Sequence, residues 1–181
     1  MALVAVSPMV LSFVVRARLL GRDRALGGSM QALACVPGVT GIVLRRAFLA
    51  RVLPACAATA TLEFGVLLQR ADARIGERVF VGPYGVIGSV DLEDDVLIGS
   101  GVRVMGGAHQ HRFDDVSRPI REQAVQHGRV RIGRGAWIGA GATVMADVGA
   151  GSVVGAGAVV TRPIPENVVA AGVPARVLRK R

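Results

Sequence analysis

A six-residue period over Ile132 to Thr161, IGRGAWIGAGATVMADVGAGSVVGAGAVVT, limits what this chain can fold into. Aliphatic residues recur at Ile132, Ile138 and Val144, and again at Val148, Val154 and Val160. Glycine follows at Gly133, Gly139, Gly149 and Gly155, and a small residue comes four places after at Ala136, Ala142 and Ala158. Six is neither the helical period nor strand alternation. It predicts short strands coiling around a triangular core, each repeat giving one flat face and one corner. The aliphatic side chain points inward, and the glycine is expected to accommodate the backbone angles of the corner. Successive coils stack at the strand spacing of about 4.8 Å. A flexible linker would have no reason to keep Ile and Val in phase.

The period begins loosely near Thr59. Ile75, Val81 and Ile87 are in phase, Leu92 comes one residue early, and Ile98 and Val104 resume the count. Thr61 to Met105 therefore reads as two to three coils, with Glu93, Asp94 and Asp95 at a solvent-facing corner. The pattern then stops over Gly106 to Arg129, GGAHQHRFDDVSRPIREQAVQHGR, which holds all three histidines of the chain. A polar stretch of this length inside a compact domain is expected to be a functional excursion between two coils. One irregularity lies later: Val144 to Val148 is four residues, so one side of a coil is shortened.

Residues 1–57 carry no such period. Helices are expected at Leu11 to Leu20, at Met30 to Cys35 (ended by Pro37 and Gly38) and at Ile42 to Cys56, with Pro8 breaking the apolar run before them. That run is too short for a spanning helix. Its arginines and apolar residues suit either an anionic membrane surface or a helical cap on the first coil. The predicted organisation is all-β: a helical segment at 1–57, a β-helix at 58–165 with the excursion at 106–129, and a basic tail at 166–181.

The 181 residues are 51% apolar and 4% aromatic, as a narrow prism of Val, Ile, Leu and Ala requires. A net charge of +9 asks for an anionic partner. No aromatic residues interleave with the arginines for base stacking, which argues against nucleic acid. Cys35 and Cys56 form no metal-ligand or disulfide pattern and read as buried thiols of a reducing compartment.

The motifs GAHQHRFDDVSRPI, WIGAGATV, VVGAGAVVT and NVVAAGVPARVLR together resemble the hexapeptide-repeat acyltransferases, over about Ile75 to Arg179. The nearest branches are those acting on polysaccharides, lipopolysaccharide, maltose and galactosides. The resemblance implies a left-handed parallel β-helix, a homotrimer with sites between prisms, and acetyl transfer from acetyl-CoA to a saccharide hydroxyl, with no metal required. Within it, His109 matches the general base, a task that suits imidazole. The backbone amide of Ala140 matches the oxyanion donor. Trp137 would lie beside the cofactor or acceptor channel. The pantetheine arm would bond near Ala156 and Thr161, and Arg162, Arg176 and Arg179 would meet the phosphates and adenine end. His109 of one chain is expected to face Ala140 and the Arg162 end of another. The roles of His111 and His127 stay open. So does the acceptor, because VGPYGVIG offers only Tyr84 where relatives carry an asparagine. The expected location is cytoplasmic, at the inner face of the membrane if residues 1–57 bind lipid.

Two other classes compete. A zinc hydratase on the same scaffold would need three converging histidines, which the spacing of His109, His111 and His127 does not resemble. A non-catalytic basic scaffold would need neither the histidine excursion nor the VPAR ending.

Overall fold

The computed structural model describes residues 2–107, 111–125 and 128–181, with the backbone alone for 2–4. Three helices come first: α1 (Ala2–Leu20), α2 (Arg22–Ala34) and α3 (Gly38–Val52). A parallel β-helix of three faces follows. The first face stacks β1 (Ala55–Cys56), β4 (Arg74–Ile75), β7 (Val90–Leu92) and β10 (Val130–Ile132), continued by single bridges at Val148 and Ile164. The second stacks β2 (Thr61–Leu62), β5 (Phe80–Val81), β8 (Leu97–Ile98), β11 (Trp137–Ile138), β13 (Val153–Val154), β15 (Val168–Gly172) and β16 (Ala175–Lys180). The third stacks β3 (Leu67–Leu68), β6 (Val86–Ile87), β9 (Arg103–Val104), β12 (Thr143–Val144) and β14 (Val159–Val160).

The in-phase aliphatic residues are the core. Leu62, Val81, Ile98, Ile138 and Val154 stack down the second face, and each is fully buried. Leu68, Ile87, Val104, Val144 and Val160 do the same on the third. Each strand contributes two residues, one in and one out, because side chains alternate along extended chain. Register holds across the excursion: Ile98 opposes Ile138 and Val104 opposes Val144, as though the intervening chain were absent.

Several expectations are corrected. The glycine after each aliphatic residue does not carry the unusual corner angles. Those fall two residues later, at Gly135, Gly141, Gly151 and Gly157, with φ of 65° to 69°. The earlier glycine is needed for space: a Cβ on Gly139 would sit 2.4 Å from the Ala156 amide nitrogen in the next coil. The four-residue step from Val144 to Val148 recurs from Val160 to Ile164. Both lie at the corner between the third and first faces, where the first face narrows to one bridged residue. The shortening is thus a regular feature of the last coils.

Helix α1 runs through Pro8 instead of breaking there. Helix α3 stops at Val52, short of Cys56, because Pro54 holds Leu53 extended (φ −88°, ψ 159°). Ala55–Cys56 then starts the first coil. Cys35 is exposed, since it follows the last turn of α2 on the outer side, and Cys56 is half-buried, its thiol pushed up to about 11 by burial. Residues 166–181 are a hairpin, not a free tail: β15 continues the second face and β16 returns antiparallel along it.

Helices α2 and α3 cap the first coil, contacting β1, β2 and β3. The joint is held by Arg45, a fully buried arginine of α3. Its Nε donates to the Leu62 carbonyl at 2.9 Å, and its Nη1 to the Leu33 and Val36 carbonyls at 2.8 and 2.9 Å. One guanidinium therefore closes the C-terminal end of α2 and ties it to the first coil.

Candidate active site

The corners determine where backbone groups are left over. At the corner between the second and third faces, each coil places a residue after the glycine: Pro83, Ser100, Ala140 and Ala156. The carbonyls of Pro83, Ser100 and Ala140 accept from Gly101, Gly141 and Gly157 of the following coil at 2.8, 2.8 and 2.9 Å. The amides of Ser100, Ala140 and Ala156 donate to nothing among the described residues. This corner thus carries a short column of unspent donors.

The corner between the first and second faces shows what such an amide does when an anion is at hand. Glu77 and Arg134 occupy the same repeat position as Ala140, directly after Gly76 and Gly133. The Glu77 amide donates to Asp94 Oδ1, and the Arg134 amide to Glu93 Oε2, both at 2.9 Å. Glu93 is held in its charged form by the Arg131 guanidinium first and this amide second, which depress its pKa. Glu93, Asp94 and Asp95 are therefore bonded members of the corner, pairing with Arg131, Arg134 and Arg78.

The third face ends at β14, so the Thr161 amide has no further coil to donate to. Beside it Arg162 is exposed and unpaired among the described residues. Charge is segregated along the prism. The first-face arginines Arg74, Arg129 and Arg131 are matched by Asp91, Asp72 and Glu93. Among the described residues Arg176 and Arg179 on the hairpin meet no carboxylate, each reaching a nearby carbonyl.

Trp137 points outward from β11 and is 49% exposed. Register places it opposite Val153, which stands opposite Val169, which stands opposite Arg179. Trp137 and Arg179 thus share one outward row, about 14 Å apart at the usual strand spacing. Trp137, Ala140, Ala156 and Arg179 belong to one region, the second face and its corner. Thr161 and Arg162 lie at the next corner, across the third face.

The excursion leaves from that same next corner. Its base is closed by Gly128 donating to the Gly106 carbonyl at 2.8 Å, and further out His111 bridges Val125. Arg112 donates to the Ala124 carbonyl at 3.0 Å, and a 3-10 turn spans Ile120–Glu122. His111 is exposed, and Phe113, Val116 and Ile120 present apolar surface. His109 and His127 lie outside the described residues. Among the described residues no cluster of three or more His, Cys, Asp or Glu is arranged to hold a metal.

Two family models match the coils: bacterial transferase hexapeptide (six repeats) over residues 129–162, and hexapeptide repeat of succinyl-transferase over 73–105. The coils are hexapeptide repeats, and the chain resembles the hexapeptide-repeat acyltransferases. It is 34% identical over 113 residues to a probable acetyltransferase of Mycobacterium tuberculosis, covering 60% of this chain and 37% of that one. It is 35% identical over 137 residues to a galactoside O-acetyltransferase of Lactococcus lactis, covering 63% of this chain and 66% of that one. The chain thus spans less than two thirds of the length of either relative. A solved galactoside acetyltransferase in complex with coenzyme A superposes with a TM-score of 0.71 at 24% identity, over 93% of this chain and 90% of that one.

Two features of the hexapeptide-repeat site escape sequence reading. The filled amides of Glu77 and Arg134 depend on which corner the carboxylates reach, and period alone does not say. The other is that Arg103, in register with Thr143 on the third face, has no ion-pair partner among the described residues. Its place one residue before in-phase Val104 marks it as outward-facing.

Proposed function

We propose that this protein transfers an acetyl group from acetyl-CoA to a hydroxyl of a saccharide or glycan. The observation carrying this reading is the unfilled Ala140 amide, at a repeat position where two other corner amides, those of Glu77 and Arg134, bind carboxylate oxygen. His109 takes the proton of the acceptor hydroxyl as its oxygen attacks the thioester carbonyl. The carbonyl oxygen becomes negative and accepts from the Ala140 N–H. Collapse breaks the carbon–sulfur bond, and the departing thiolate takes the proton from the imidazolium. Acetyl ester and CoA result, with no covalent enzyme intermediate.

The donor follows from charge and open backbone. The amides of Ala156 and Thr161 are free to bond the pantetheine arm, and Arg162, Arg176 and Arg179 are free to meet phosphates, which guanidinium groups bind in a fork. The Lactococcus lactis relative is a galactoside O-acetyltransferase, and a galactoside acetyltransferase of the same fold was solved with coenzyme A.

The site is completed by a second copy. In one chain the Ala140 corner and the excursion stem stand at opposite ends of the third face, and the excursion exposes Phe113, Val116 and Ile120. A neighbouring prism in a homotrimer would bring the excursion and Arg162 of one copy to Ala140 and Trp137 of the next.

Calorimetric titration with acetyl-CoA tests the donor site. Saturable binding, weakened about tenfold in Arg179→Ala and kept in His109→Ala, is expected. Absence of binding by the folded oligomer would overturn the reading.

A further inference from the structure

Helix α1 is apolar on both sides, which a surface helix of a globular protein is not. Val6 and Phe13 face inward, and Phe13 packs edge-on against Phe48 with ring centroids 6.0 Å apart. The opposite side carries Leu11, Val15 and Leu19 at intervals of four residues, 67%, 50% and 77% exposed, with Val14 beside them. These side chains form one stripe along the helix, about 12 Å long at the helical rise. Among the described residues nothing covers it.

The charge around that stripe selects its cover. Residues 1–57 contain seven arginines and a single acidic residue, Asp23, which pairs with Arg70. Four of the arginines are used internally: Arg16 bonds Ser29, Arg22 the Val52 carbonyl, Arg45 closes α2, and Arg46 reaches the Ala60 carbonyl. Arg18, Arg24 and Arg51 are exposed and have no partner among the described residues. An apolar stripe within a net-positive cap fits an anionic surface that also accepts hydrocarbon. A second copy of the same cap would bring like charges together. No helix among the described residues is long and apolar enough to cross a membrane, so the contact lies in the surface plane.

We propose that the outer stripe of α1, with Arg18, Arg24 and Arg51, seats this protein on an anionic lipid bilayer. The cap covers the first coil, so the Ala140 corner lies three strand spacings, about 14 Å, further along the prism from β2. The proposal is independent of the acetyl-transfer reading.

Sedimentation of the full chain with vesicles tests it. Vesicles of phosphatidylcholine with a one-third share of phosphatidylglycerol should pull the protein down, and pure phosphatidylcholine should not. Raising salt from about 0.1 to 0.5 M should release it, because exposed charges are screened. Leu11→Gln/Leu19→Gln should lower the bound fraction at least tenfold with the helical circular dichroism intact. Leu178→Gln, an exposed change on the hairpin, should leave binding unaltered. Failure of the full chain to sediment with anionic vesicles would overturn the proposal, as would equal binding by the double variant. A drop in solution mass in Leu11→Gln/Leu19→Gln, without vesicle binding by the full chain, would assign the stripe to a second copy instead.

Discussion

Glu93 Oε2 accepts the backbone amide of Arg134 at 2.9 Å, so the chain itself fills one corner amide with a carboxylate. Ala140 holds the same repeat position six residues on, and its amide is left open. The candidate site is thus an unspent instance of a contact the fold makes elsewhere for its own stability.

That contact predicts a pH dependence. Arg131 and the Arg134 amide hold the Glu93 carboxyl below its ordinary range. A depressed folded-state pKa contributes stability that is present above the unfolded value, about 4.3, and is lost as pH falls through the folded value. Glu93→Gln should therefore lower the melting temperature at pH 7, and the gap from the parent should close on acidification below pH 4. A gap that is constant with pH would contradict this account.

Arg45 predicts a stability effect far from the site. Arg45→Met would leave the Leu33, Val36 and Leu62 carbonyls without their buried donor. At about 1 kcal/mol or more for each lost bond, the cost should be about 3 kcal/mol, read as a lower denaturant midpoint. Arg45→Lys should recover only part of it, because an ammonium cannot span carbonyls from two elements as a guanidinium does.

The shared site predicts complementation. His109→Ala and Ala140→Pro should each be nearly inactive alone. Mixing them through reversible dissociation of the oligomer should restore acetyl transfer, since some interfaces then combine an intact histidine with an intact amide. Activity that stays at the level of the separate variants would place both groups in one chain.

Much of this fold was legible because a period of six with in-phase Ile and Val leaves few alternatives. Ile132, Ile138, Val144, Val154 and Val160 are all fully buried, as the period requires. The glycines were legible as corners but not in their physical role, since Gly139 is fixed by the Ala156 amide of the next coil and not by its own dihedral angles. The helix boundaries were less legible, as Pro8 is tolerated within α1 whereas Pro54 ends the chain's helical region at Val52. Arg45 could not be read at all: nothing in GIVLRRAFLA separates it from Arg46, and only the tertiary fold turns one inward. At the candidate site, motif resemblance named Ala140, Ala156 and Arg179, which the coil geometry sets on the second face and its corner. That Thr161 and Arg162 stand at a different corner follows from the coil geometry.

The most direct test removes one hydrogen from the site. Pro83 already occupies the Ala140 position two coils earlier, and its carbonyl accepts from Gly101 at 2.8 Å, as that of Ala140 accepts from Gly157 at 2.9 Å. Ala140→Pro should therefore fold and retain CoA binding while losing only the N–H, and Ser100→Pro serves as its control. Thiol release from acetyl-CoA in the presence of galactosides and related saccharides is the measurement. Loss of one oxyanion donor should lower the rate about 10²- to 10³-fold in Ala140→Pro and leave Ser100→Pro near the parent. Full activity in a folded, CoA-binding Ala140→Pro would contradict the assignment of that amide.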